Sequence, residues 1–304
     1  MLIFEEKKTS KHKILENVKE SSALFFSIAF LGLIIILVVF SYFSGYNGLD
    51  IRDEEQLTSP SISHLFGTDP DGRDIFLRTI IGIKAYFLPG LVACAISLLL
   101  GMLLGVLGSS IWQGVFGKTI IFISNCLLDI IESFPKYILI LLMITIIKEP
   151  NFYHIMIILG IVNSPKLGRI VKGKIESLNK RHFIEAGEAL GLSKTKLVLQ
   201  HILYCNCLPI FIIHASLQMA EVILLEIGLS YLGSISNWGL GVTIPEPMPS
   251  WGNILVIGKD RFFEAGWWIV VFPLVVVVLN ILTFYWLSDE LNKKFGGLKK
   301  WKEE

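Results

Sequence analysis

Hydrophobic and polar positions in this chain alternate in long blocks, not with the short period of a soluble helix or strand. Apolar runs cover residues 22–43, 85–108, 119–147, 152–168, 207–227 and 267–287. A helix needs about 20 mostly apolar residues to cross the hydrocarbon core of a bilayer. The pattern therefore predicts an all-α membrane protein with six transmembrane helices in one domain, 22–287. Polar tails flank it at 1–21 and 288–304.

The runs are not uniform. Within 85–108, Ala93, Ser97, Gly101 and Gly105 recur every four residues, a small-residue ridge of the kind that lets membrane helices approach closely. The third run is interrupted by Asp129, Glu132, Pro135 and Lys136, and the fifth carries Glu221 and Glu226 near its end. Ionisable groups at membrane depth face a bundle interior, a pathway or one another. Asp129, Glu132, Lys136 and Glu221 are accordingly candidate pathway residues, and Glu132 and Lys136 have the spacing of an i,i+4 ion pair. The alternative is that this part lies at the interface and that the true span begins near Pro135.

The blocks between the runs have their own grammar. Residues 44–84 are acid-rich and contain Phe66-Gly67-Thr68-Asp69-Pro70-Asp71-Gly72-Arg73-Asp74, whose turn residues predict a tight, hydrogen-bonded loop. There Arg73, flanked by carboxylates, is expected to form an internal ion pair. Residues 228–266 are rich in proline and glycine and predict a long, stiffened loop, ending at an interfacial Trp267-Trp268 pair.

Residues 169–204 hold a polar island. Glu185, Ala186, Gly187, Glu188 and Ala189 form a short helical stretch that stops at Gly191, and Ser193 can cap the next helix. Gly191 sits where a helix end turns left-handed, which glycine does without steric cost. Glu185 and Glu188 share one face. The segments assigned to the cytoplasm carry 19 of the 27 Lys and Arg residues. The positive-inside rule then places both termini, and the island, in the cytoplasm.

Composition agrees with the pattern. The chain has 304 residues, 53% of them hydrophobic and 17% charged, with a mean hydropathy of +0.64. A soluble domain is about 25% charged. The net charge of +1 gives no reason to expect a nucleic-acid partner. The first apolar run is longer than a signal-peptide core and is taken as an uncleaved helix. Cys94, Cys126, Cys205 and Cys207 do not make a disulfide framework. Cys205 and Cys207 near His201 read as small membrane residues, not a metal site, and His154, His182 and His214 read as structural. Gly117-Lys118-Thr119 resembles the end of a phosphate loop, but position 112 is Trp112 where glycine is required. Neither a catalytic residue nor a cofactor is expected on this chain.

Three groups of motifs resemble one family, the permeases of binding-protein-dependent ABC importers. Glu185-Ala186-Gly187, then Gly191 and His201-Ile202-Leu203, are similar to its "EAA" coupling loop, with glycine for the second alanine and Tyr204 where proline is usual. Phe66-Gly67-Thr68-Asp69 with Gly72-Arg73-Asp74 resembles the loop after the first helix in C-type permeases of dipeptide, oligopeptide and nickel importers. Leu229-Ser230-Tyr231-Leu232-Gly233 and Pro249-Ser250-Trp251-Gly252-Asn253 resemble that subfamily's loop before the last helix.

The resemblance implies a type I importer permease fold with a cytoplasmic coupling helix, in the inner membrane. It implies a related B-type permease, two ATPase subunits carrying ATP and Mg, an extracellular substrate-binding protein and membrane lipid as partners. Glu185, Ala186, Gly187, Glu188, Ala189, Gly191 and His201 would meet the ATPase. Gly67, Thr68, Asp69, Gly72, Arg73, Asp74, Trp251 and Gly252 would carry the external-loop motifs. The cargo would be a peptide, nickel or a metallophore. A stand-alone secondary transporter or channel is the alternative class, but such a protein would usually show internal repeats, and none is evident. A membrane enzyme would need a nucleophile elbow or metal-ligand motif, and none is found.

Overall fold

The computed structural model describes residues 25–41, 43, 50–112, 114–147, 152–179, 189, 191–192, 197, 208–235, 250–263 and 266–297. Among them every regular element is helical, apart from a single antiparallel bridge between Thr68 and Asp74. The helices are α1 (Phe25–Ser41), α2 (Ile75–Leu107), α3 (Gly114–Ser133), α4 (Lys136–Ile146), α5 (Phe152–Asn179), α6 (Leu208–Ile235), α7 (Trp251–Lys259) and α8 (Trp268–Gly297). Five of them, α2, α3, α5, α6 and α8, are long and apolar enough to cross a membrane; α1 and α4 are shorter apolar helices.

Three boundaries differ from the pattern-based expectation. Helix α2 begins at Ile75, not residue 85, because Asp74 caps it: its Oδ1 accepts the backbone N–H of Leu77 at 2.9 Å. The third run is not one helix over 119–147 but two, α3 and α4, which meet at Phe134 and Pro135. Proline disfavours the helical conformation in the residue before it and has no N–H to continue the ladder. The fourth run does not end near 168. Helix α5 continues to Asn179, so Arg169, Lys172 and Lys174 lie on the same helix as the fourth apolar run.

Helices α2 and α5 form the most intimate pair, and the reason is visible in both sequences. A Cβ added to Gly101 would come within 2.7 Å of the Ser164 carbonyl oxygen, and one on Gly105 within 2.5 Å of the Gly168 carbonyl oxygen. In return, a Cβ on Gly160 would meet the Ala93 carbonyl oxygen at 2.7 Å. Two small-residue ridges, 93–105 and 160–168, thus lie backbone against backbone. Without a hydrophobic drive between helices in lipid, such close packing is a main source of their association.

The main core joins Ile34 of α1, Ile83 and Tyr86 of α2, Ile140 of α4, Leu159 of α5, Ile223 of α6, Trp251 of α7 and Ile269 of α8. A second cluster contains Ile111, Leu167, Val171, Ile175, Leu178 and Leu197, with Leu192 packed on it. Leu192 and Leu197, from the polar island's second half, are themselves seated against Leu167, Val171, Ile175 and Leu178 of α5.

Candidate functional site

Helix α5 carries Asn163, Lys166, Arg169 and Lys172 at every third position, a polar stripe that winds slowly about the helix. Each meets a partner on a neighbouring helix. Lys172 Nζ donates to Asn125 Oδ1 of α3 at 2.8 Å. The Arg169 guanidinium spans two carboxylates of α3, Asp129 Oδ1 at 2.6 Å and Glu132 Oε2 at 2.5 Å. Lys166 Nζ meets Glu221 Oε1 of α6 at 2.5 Å. Lys136 Nζ, at the start of α4, lies 3.3 Å from Glu221 Oε2 and donates to Asn163 Oδ1 at 2.7 Å. The seam thus joins α3, α4, α5 and α6.

The four candidate pathway residues are brought together, but not as their spacing suggested. Glu132 does not pair with Lys136. The break at Pro135 puts them on different helices, and each finds a partner far away in sequence. Glu221 lies near the middle of α6, not near its end, and Lys166 near the middle of α5. The sequence reading missed the second half of the seam. Lys166 and Arg169 continue the helical period of 152–168 with a three-residue spacing, but their carboxylate partners lie on other helices.

Electrostatically the α4–α6 end of the seam is unbalanced: two ammonium groups face one carboxylate. The Lys136 and Lys166 side chains are 44% and 48% exposed, whereas Glu221 is 19% exposed. Ionisable groups among apolar helices pair with one another or face water, a pathway or another polypeptide; Lys136 and Lys166 pair through Glu221 and keep nearly half of each side chain exposed. On the same face of α6 stand His214 and Gln218, both buried. His214 is within the electrostatic reach of Lys166, Glu221 and Lys136.

The 66–74 motif folds as a tight loop around Asp69. The buried Asp69 carboxylate accepts the N–H groups of Asp71 (2.9 Å) and Arg73 (2.8 Å) and pairs with the buried Arg78 guanidinium. Arg73 pairs with Asp71 at 2.8 Å, the internal ion pair expected of it. The loop is also pinned from outside. Thr68 accepts the N–H of Thr58 on its hydroxyl at 2.8 Å, His64 Nδ1 lies 2.8 Å from Asp74 Oδ2, and the Trp268 indole donates to the Thr68 carbonyl at 3.2 Å. Gly67 is left-handed (φ +71°), and a Cβ there would meet the Trp268 indole at 2.6 Å.

The second motif closes over a buried carboxylate. Ser250 caps α7 by accepting the Asn253 N–H at 3.1 Å. Trp251 stacks on Tyr86, ring centroids 4.6 Å apart, and donates to the Thr79 carbonyl at 2.9 Å. The Tyr86 hydroxyl donates to Glu226 Oε2 and accepts the Gly252 N–H at 3.2 Å, while Ser230 donates to Glu226 Oε1 at 2.9 Å. A Cβ on Gly252 would strike the Ser230 side chain at 2.6 Å. Tyr86 and Glu226 were not singled out as partners by sequence, since nothing local couples positions so far apart.

Of the island, Glu185, Ala186, Gly187, Glu188 and His201 lie outside the described residues, as do Cys205 and Cys207. Ala189 is helical and exposed, and Gly191 has φ +82°, the left-handed turn its sequence context predicts. Among the described residues nothing lies within 4 Å of a Cβ built on Gly191.

Five helices long and apolar enough to cross a membrane, joined by a charged seam, define a multi-pass membrane protein. Comparison with known proteins fixes the family. Residues 97–296 match the family described as binding-protein-dependent transport system inner membrane component, and the chain belongs to it: it is an inner-membrane permease of the ABC importer type. It is 32% identical to the dipeptide transport system permease protein DppC of Alkalihalophilus pseudofirmus, over 87% of this chain and 84% of that one. It is 31% identical to the oligopeptide transport system permease protein OppC of Haemophilus influenzae, over 93% and 86%. It is also 29% identical to the probable D,D-dipeptide transport system permease protein DdpC of Escherichia coli, over 94% and 92%.

Proposed function

We propose that this chain is the C-type permease of a peptide importer and forms half of the pathway, with a related B-type permease as the other half. The observation that carries the reading is the charged seam: Lys166 and Glu221 stand near the middles of α5 and α6, Lys136 joins them from the start of α4, and both lysines stay half-exposed, as pathway groups facing a second subunit would. The relatives are named for dipeptides and oligopeptides, so a short peptide is the cargo, in preference to nickel or a metallophore. The topology has six crossings, counting α1 as the first and α3 with α4 as one, and both termini are cytoplasmic. The loop around Asp69 and helix α7 then lie outside, where a substrate-binding protein docks.

In this reading two ATPase subunits, which carry ATP and Mg, grip the island that contains Glu185, Ala186, Gly187, Glu188, Ala189, Gly191 and His201. Rigid-body closure requires a stiff lever. Leu192 and Leu197, packed against Val171, Ile175 and Leu178, would pass that movement into α5, whose adjoining turns hold the seam. Glu185 and Glu188, near the start of a helix, suit its dipole and can meet basic groups.

Two measurements test this. The chain purified in mild detergent with its neighbours is expected to bring down two ATP-hydrolysing subunits and a second permease, while the chain alone hydrolyses no ATP. Turnover in the isolated chain would overturn the assignment. Gly191→Val is expected to abolish peptide uptake while the ATPase subunits still co-purify. The site has room for the side chain, so the defect would come from the backbone alone, which β-branched residues resist placing at positive φ. Normal uptake by that variant would remove Gly191 from the coupling role.

A further inference from the structure

The geometry points to a carboxylate-binding subsite on the α4–α5–α6 face, built from Lys136, Lys166 and Asn163, that holds the C-terminal carboxylate of the peptide in transit. The inference rests on the peptide-import reading above and assigns the chemistry of one point along the route. Lys136 and Lys166 converge on a single carboxylate, Glu221, from two different helices (3.3 and 2.5 Å). One positive charge is therefore left without a counter-charge in the cluster. Asn163 gives its Oδ1 to Lys136, yet its buried Nδ2 has no hydrogen-bond partner among the described residues. On the adjoining face of α6, both polar atoms of the Gln218 amide and Nε2 of His214 are buried and likewise without partners.

Buried polar atoms are rarely left unsatisfied, and each one calls for an explanation. An excess ammonium beside unpaired amide donors and acceptors fits a ligand that has a carboxylate next to an amide bond. That is the C-terminal end of any unmodified peptide. Glu221 plays the complementary part: it holds the two lysines in place when no solute is present and exchanges them to the incoming carboxylate. Because the recognised group is common to all peptides, the subsite would be indifferent to side-chain identity.

The test uses the complete transporter in proteoliposomes, with a saturating binding protein and a radiolabelled free-acid tripeptide. Lys166→Met and Lys136→Met are each expected to lower peptide uptake per ATP hydrolysed by about tenfold, since truncating one partner of a charge pair is costly. Peptide-stimulated ATP hydrolysis and subunit co-purification should persist. Lys166→Arg, which keeps the charge, is expected to restore most of the uptake. Unchanged uptake per ATP in both methionine variants would overturn the subsite. So would equal losses of uptake and ATP hydrolysis, or failure of both variants to assemble, since either marks the lysines as structural. If the unaltered transporter moves no peptide but does move another carboxylate-bearing solute, the peptide reading fails while the subsite is tested on that solute.

Discussion

Gly72→Ala is expected to destabilise the permease by about 3 kcal/mol or more, whereas Gly114→Ala should cost about 1 kcal/mol. Both glycines are left-handed, with φ +71° and +77°, so the backbone penalty is common to the two. Their surroundings are not. A Cβ on Gly72 would fall far inside contact distance of the Arg52 carbonyl oxygen and 2.7 Å from the carbonyl carbon, while nothing lies within 4 Å of one on Gly114. The clash at Gly72 is with main chain, and that main chain is tethered: the Arg52 N–H donates to the Asp71 carbonyl at 3.1 Å, and the Gly72 N–H to the Asp69 carbonyl at 3.0 Å. Relief would break the turn that sets Asp69 against Arg78. The thermal midpoints of the two variants in detergent decide the matter. Equal shifts would mean that the loop is not closed against the 52–58 segment.

What could be read from the chain beforehand follows the range of the interactions involved. The helices were legible because a bilayer imposes a length and a composition that a single run satisfies. The Asp69 loop was legible because its bonds span only a few residues: an acidic side chain collecting the N–H groups two and four positions on is written into Asp-Pro-Asp-Gly-Arg. The ridge 93–105 was visible from its period, but its partner ridge 160–168 on α5 was not noticed, although it has the same four-residue spacing.

The pairings were not legible. Glu132 and Lys136 looked like partners by spacing, and only the break at Pro135 reassigns them to Arg169 and Glu221. No local spacing joins Lys166 to its carboxylate, which lies on another helix 55 residues further along. The Trp268–Thr68 and Tyr86–Glu226 contacts cross so much chain that no local pattern announces them.

Trp251→Ala is expected to be the most damaging single change in the described part of the chain, at about 3–5 kcal/mol. Trp251 is 1% exposed. It stacks on Tyr86 and donates to the Thr79 carbonyl, both on α2, and its neighbour Gly252 lies close against Ser230 and Glu226 of α6. Truncation would leave a cavity in a site that cannot collapse, because Gly252 is already within contact of Ser230. It would also deprive the Thr79 carbonyl of the indole and loosen the ring that positions the Tyr86 hydroxyl on Glu226.

Trp251→Phe keeps the stacking surface and loses the donor, so it should cost only about 1–2 kcal/mol. Trp267→Ala, which removes a neighbouring indole that is 46% exposed, should cost about 1 kcal/mol or less. Unfolding midpoints of the three variants, with peptide uptake measured in parallel, separate packing from transport. If the node only supports the fold, uptake per assembled transporter will stay normal in Trp251→Phe. If α7 must move with α2 and α6 during each cycle, uptake in that variant will fall well before stability does, since the buried carboxylate is where the three helices meet.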